Sequence, residues 1–211
     1  MSFLRAIICL DGEPPSQATF RKNLSNHDCI VAADGGANWL DDYVVKPDVL
    51  IGDLDGVRKK VRAKLAASSV VHKEDQYSTD LEKAFAWAMQ KKIKNIVVMA
   101  AAGKRIDHTL SNFSLLWKYH KKNNVQIIHD GWKAFLLPNK KVSFDTHGGM
   151  TVSLIPYSDC SGITLQGFEY PLKNATMKLG EVGVSNVALG KKVRIEIKRG
   201  RMLAVFLSKK A

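Results

Sequence analysis

A chain of 211 residues is long enough for one large or two small domains with a sizeable core. Its 45% hydrophobic and 25% charged content is that of an ordinary globular protein and excludes a disordered or fibrous one. The net charge of +12 comes from scattered pairs such as Lys91-Lys92, Lys140-Lys141 and Lys191-Lys192 with no interleaved aromatics, a solvated surface rather than a nucleic-acid interface.

Over about the first 130 residues short apolar runs alternate with helical patterns, which predicts βαβ units and a mainly parallel, Rossmann-like sheet. Strands are expected at Arg5–Leu10, Cys29–Ala33, Asp48–Ile51, Val70–His72, Asn95–Ala101 and Val125–His129. A helix is expected from Thr79, which forms a capping box with Glu82 ahead of an apolar stripe of Leu81, Ala84, Phe85, Ala88 and Met89. Another is expected from Asp107 as N-cap, with Leu110, Phe113 and Trp117 on one face. Past "GWKAFLLPNK" the texture changes to short alternating segments such as "MTVSLIPYS", "VRIEIK" and "MLAVFL", an all-β, sandwich-like pattern. The expected division is therefore 1–130, an α/β domain, and 131–211, a β-sandwich.

The apolar stretch before Asp11 is too short for a secretory or membrane-spanning segment, and no later run approaches a span. Cys9, Cys29 and Cys160 are odd in number and far apart, as expected of reduced thiols in a cytoplasmic protein.

Four acidic stretches carry the chemistry. In "AADGGANWL", Asp34 ends a strand, Gly35-Gly36 opens a helix where backbone N–H groups could approach a phosphate, and Asn38 lies one turn on. In "GDLDG", Asp53 and Asp55 point the same way if the chain stays extended. Two like charges about 4 Å apart repel by about 4 kcal/mol at an effective dielectric near 20, so the pair persists only with a cation between them or with one carboxylate protonated, and a hard cation such as Mg²⁺ is the preferred expectation. In "KEDQYSTDLEKA", Asp75, Gln76 and Asp80 surround a helix start, and Lys83 reads as an ordinary surface residue. In "AAAGKRIDHTLSN", Arg105 could grip a phosphate, with Asp107 and His108 beside it and Asn112 on the same helix face as His108. Ligands of open α/β sheets bind beyond the carboxyl ends of the strands, where these stretches converge. Walker A, GxGxxG, zinc-ligand and GxSxG patterns are absent from the sequence.

In this order and spacing, "ADGGAN", "PDVLIGDLDG", "DQYSTDLEKA" and "GKRIDHTLSN", with the β-rich tail "SLIPYSDCSGITLQGFEYPL…GVSN…VRIEIKRGRMLAVFL", resemble the thiamin pyrophosphokinase family. The resemblance implies an α/β domain and a β-sandwich, a homodimer with sites between subunits, and transfer of a pyrophosphoryl group from ATP to the hydroxyl of thiamin with Mg²⁺, releasing AMP. It implies Asp53, Asp55 and Asp80 around metal and phosphates. Asp34, Asn38, Arg105 and His108 would hold ATP, and Gln76, Asp107, Ser185 and Asn186 would approach thiamin. Asp80 or Asp107 could accept the hydroxyl proton. Gly56, Tyr77 and Lys104 depart from the family, which usually has Ser, an acid and a second Gly there, and no aromatic partner for the thiamin pyrimidine is evident.

Two rival readings compete. "LIGDLDGV" is also similar to the first motif of haloacid-dehalogenase-like phosphatases, with Asp53 as nucleophile and Asp55 as acid/base. That family generally carries the motif near the start of its core, and it has no counterpart to "ADGGAN" or the β-rich tail. A basic nucleotide- or RNA-binding module would need no Mg²⁺, but three carboxylates at its mouth would repel a polyanion unless metal is bound.

Overall fold

The computed structural model describes residues 5–26, 28–75, 77–119 and 124–208. Contacts divide the chain into two compact units, Met1–Asp130 and Gly131–Ala211.

The first unit runs β1 (Arg5–Cys9), α1 (Gln17–Lys22), β2 (Asp28–Ala33), α2 (Gly36–Asp42), β3 (Val49–Gly52), α3 (Lys59–Arg62), β4 (Val70–His72), α4 (Asp80–Gln90), β5 (Asn95–Met99), α5 (Ile106–Tyr119) and β6 (Asn124–His129). Its strands are parallel in the order β6-β5-β1-β2-β3-β4. Strands buried on both faces should be apolar throughout, and Ile7, Ile8, Cys9, Val31 and Ala32 all have no exposed surface. Because β1 neighbours both β2 and β5, the chain changes direction there, and a crevice opens beyond the carboxyl ends of those strands.

The capping box of α4 is present: Thr79 Oγ1 accepts the Glu82 N–H and Glu82 Oε2 accepts the Thr79 N–H, each at 3.3 Å. Leu81, Ala84, Phe85 and Ala88 form its buried face. Helix α5 begins at Ile106 rather than after a cap at Asp107, which lies in its first turn. Its buried face is Leu115 and Leu116, while Leu110 and Trp117 are exposed. The sequence carries two apolar stripes on this helix, and periodicity alone does not say which meets the sheet.

The second unit contains two antiparallel sheets, β12-β9-β14-β7 and β11-β10-β13-β8. Its strands are β7 (Trp132–Leu136), β8 (Lys141–Asp145), β9 (Thr151–Pro156), β10 (Cys160–Gln166), β11 (Leu172–Met177), β12 (Gly183–Val187), β13 (Lys192–Glu196) and β14 (Met202–Leu207). Inward residues of both sheets, among them Phe135, Val152, Leu154, Ile163, Ile195 and Phe206, make one core between them. The architecture is the expected one: a mainly parallel α/β unit followed by a β-sandwich.

Candidate functional site

Beyond the carboxyl ends of β1, β2, β3 and β5 lies a cleft of about 290 Å³. Asp11, Asp34, Asp53, Asp75, Asp80, Lys83, Lys104, Arg105, His108 and Asn112 are in its lining.

Asp34 follows β2 with φ of 44°, a left-handed conformation that Asp tolerates better than most residues. Its N–H donates to the Ile51 carbonyl at 2.8 Å, fixing it beside the end of β3. There Gly52, at φ 149°, passes so close that a Cβ would stand 3.0 Å from the Asp34 Cβ. An extended segment would point Asp53 and Asp55 to the same side. Instead Leu54 turns into the left-handed region at φ 71° and buries its side chain. The two carboxylates still converge, joined by a third: oxygens of Asp34, Asp53 and Asp55 all lie within 4.8 Å of one another. An oxygen-only donor set of three carboxylates fits a hard divalent cation such as Mg²⁺. Burial pushes the Asp34 carboxyl up to about 6; the Gly35 N–H pulls it down, and Asp80, Asp55 and Asp53 push it up again.

Asp80, in the first turn of α4, is raised by burial, lowered by Lys83, and raised again by Asp53 and Asp55. Lys83 is no surface residue. Its side chain is 5% exposed, with Nζ 3.3 Å from Asp80 Oδ1. The i, i+3 spacing held that pairing, but only the packing of α4 on the sheet shows that Lys83 faces inward.

Arg105 and Asp107 form a two-pronged pair at the rim, with Nε to Oδ1 at 3.1 Å and Nη2 to Oδ2 at 2.5 Å. Arg105 thereby holds the Asp107 carboxyl down at about 2. His108 lines the cleft, and Asn112 ties α5 to the end of β5 by donating to the Ala101 carbonyl at 2.9 Å. Asn38 stands behind the lining: Nδ2 donates to the Gly56 carbonyl at 2.8 Å and Oδ1 accepts the Arg58 N–H at 2.9 Å. It clips the loop that carries the paired aspartates. Gln76 lies outside the described residues.

In the second unit, the β12–β9 register shifts between Gly183 and Asn186, and Ser185 sits in that irregularity at φ 61°. Such bulges re-aim side chains and favour functional positions. The Ser185 N–H donates to Ser153 Oγ at 3.0 Å, and the side chain faces solvent. Asn186 is buried, its Oδ1 accepting the Tyr170 N–H at 3.1 Å and its Nδ2 donating to the Tyr170 carbonyl at 2.8 Å. The sequence carried no signal for either pairing.

Carboxylates and cations gathered beyond the ends of parallel strands, without a P-loop, are the equipment of an enzyme that handles phosphoryl groups rather than of a passive binding fold. Residues 20–129 match the thiamin pyrophosphokinase catalytic domain and residues 139–202 the thiamin pyrophosphokinase vitamin B1 binding domain. Thiamin pyrophosphokinase 1 of Caenorhabditis elegans is 30% identical over 190 residues, spanning 83% of this chain and 77% of that protein. Thiamine pyrophosphokinase of Bacillus subtilis is 27% identical, spanning 85% and 87%. The crystal structure of thiamine pyrophosphokinase from Bacillus subtilis superposes with a TM-score of 0.88 at 24% identity, covering 98% of this chain and all (100%) of that one. The structure from Candida albicans does so with 0.83 at 19%, covering 98% and 90%. The chain belongs to the thiamin pyrophosphokinase family, whose members are transferases.

Proposed function

We propose that this chain transfers the pyrophosphoryl group of ATP to the hydroxyl of thiamin, giving thiamin diphosphate and AMP. The observation that carries the reading is one cleft lined by Asp34, Asp53 and Asp80 together with Lys83, Lys104 and Arg105, with Asp55 grouped beside the first two. The thiamin hydroxyl oxygen bonds to the β-phosphorus. The bond from that phosphorus to the oxygen bridging to the α-phosphate breaks, its electron pair leaving with AMP, and the hydroxyl proton passes to a carboxylate.

Asp53, Asp55 and Asp80 would hold Mg²⁺, with Asp34 completing the cluster. Bound there, the ion neutralises charge on the phosphate oxygens. Arg105 and His108 meet the phosphates from the rim, and Lys83 adds a fixed cation from α4. Asn38 serves ATP by holding the loop of Asp53 and Asp55 in place. Asp107 and Ser185, with Gln76, would approach thiamin, whose positive thiazolium suits an acidic rim, and Asn186 would serve that side by holding the Ser185 turn through its two bonds to Tyr170.

Residues 1–130 supply the ATP- and Mg²⁺-binding domain, and 131–211 the thiamin-binding and dimerisation domain of a homodimer. A cytoplasmic location is supported by three free, buried thiols. Among the described residues no helix is long and apolar enough to cross a membrane. Product identity tests the reaction: thiamin-dependent AMP supports it, and ADP or phosphate formed without thiamin contradicts it. A dilution series followed by activity and sizing tests the dimer, since activity should fall as the subunits separate.

A further inference from the structure

Lys104 and Asp11 face each other across the mouth of the cleft. Asp11 follows β1 and Lys104 follows β5, neighbouring strands on either side of the crevice. Their loops are knitted at the base, where Gly12 N–H donates to the Ala100 carbonyl at 2.9 Å and Glu13 N–H to the Ala102 carbonyl at 2.8 Å. On that rigid footing Lys104 Nζ lies 2.8 Å from Asp11 Oδ1, and the two side chains are 54% and 53% exposed.

Two features mark the pair as more than surface decoration. Lys104 holds a left-handed backbone at φ 50°, a conformation that glycine adopts freely and lysine does not. A side chain is kept at a position better suited to none. Secondly, both residues line the cleft that holds Asp34, Asp53 and Asp80, so the ion pair lies where an anionic ligand must pass. A half-exposed Lys–Asp pair is weak, whereas an ammonium on a polyphosphate makes stronger, charge-assisted contacts.

We propose that Lys104 and Asp11 form an exchangeable ion pair that sets the affinity of the cleft for nucleotide polyphosphate. The entering phosphate takes Lys104, and Asp11 is left as the competing anion. This rests on the reading of the cleft as a nucleotide site. Asp11 thus weakens binding and Lys104 strengthens it, and each effect depends on the other. A merely structural bridge has no such opposition of sign.

The test is a double-mutant cycle read by calorimetric binding of α,β-methylene ATP with Mg²⁺ to the full chain. Lys104→Gly is expected to weaken binding about tenfold and Asp11→Asn to tighten it about threefold. Asp11→Asn should gain more with Lys104 present than in the Lys104→Gly background, by the strength of the broken pair. Lys104→Gly also removes the unfavourable backbone, so its melting temperature should not fall. Unchanged binding in Lys104→Gly, weaker binding in Asp11→Asn, or strictly additive effects would overturn the exchange while leaving the nucleotide site intact. A wild-type chain that binds no nucleotide would instead overturn the site itself.

Discussion

The Asp107 carboxylate is clasped by the Arg105 guanidinium two residues before it, through contacts of 3.1 and 2.5 Å at the cleft rim. Both side chains are largely exposed, and the pairing keeps Asp107 ionised down to about pH 2. A carboxylate held so low is a weak proton acceptor, because an efficient base has an affinity near the working pH. Asp107 gains basicity only when Arg105 leaves it for a phosphate. Asp107→Asn is therefore expected to raise KM for thiamin about tenfold while leaving the acid limb of the kcat–pH profile in place. Loss of that limb would identify Asp107 as the base.

Asp55 belongs to a like-charged triad with Asp34 and Asp53. Without metal the triad repels itself, so Asp55→Asn should raise the melting temperature of chelator-treated protein by about 1–3 °C. The same change should lower kcat by about 10²-fold or more and weaken Mn²⁺ binding read by calorimetry. A variant less stable than wild type without metal, yet active, would contradict the metal role.

Gly56 fixes where the Asp34 carboxylate rests. A Cβ there would lie 2.2 Å from Asp34 Oδ2, and the Gly56 N–H donates to Asp34 Oδ1 at 3.3 Å. Gly56→Ala must swing that carboxylate aside. Metal affinity is expected to fall about tenfold, with the melting temperature moving by less than about 2 °C. Titration of metal against activity, beside a thermal melt, separates the two effects.

Arg5 and Asp28 anchor the start of β1 to β2, with Nε to Oδ1 at 2.9 Å and Nη2 to Oδ2 at 2.6 Å. Burial disfavours the charged Asp28, but Arg5 and the Ser25 N–H outweigh it and lower its pKa from 3.8. A depressed folded value means that this contribution is complete above the unfolded value. It is lost as the pH falls from there through the folded one. Asp28→Asn should cost about 2–3 kcal/mol at neutral pH in urea unfolding and flatten the decline of stability below pH 4. An unchanged acid limb would show that other carboxylates govern it.

Much of the fold could be read from sequence because its signals are local. Buried parallel strands are continuous apolar runs, the Thr79–Glu82 box marks a helix start, and antiparallel strands alternate. The site was legible as a set of acidic stretches but not as an arrangement. Asp34 joins Asp53 and Asp55 because β2 lies beside β3, which the sequence does not record. The burial of Lys83, the clip made by Asn38 and the outward face of Leu110 depend on helix phase against the sheet, a tertiary property. Leu54 adopts a conformation that no leucine advertises.

Pyrophosphoryl transfer to thiamin is best tested by phosphorus NMR of the purified chain with ATP, Mg²⁺ and thiamin, using Asp55→Asn as control. AMP and thiamin diphosphate should appear together, only when thiamin is present, and both should vanish in the variant. ADP or inorganic phosphate formed regardless of thiamin, or undiminished turnover in Asp55→Asn, would contradict it.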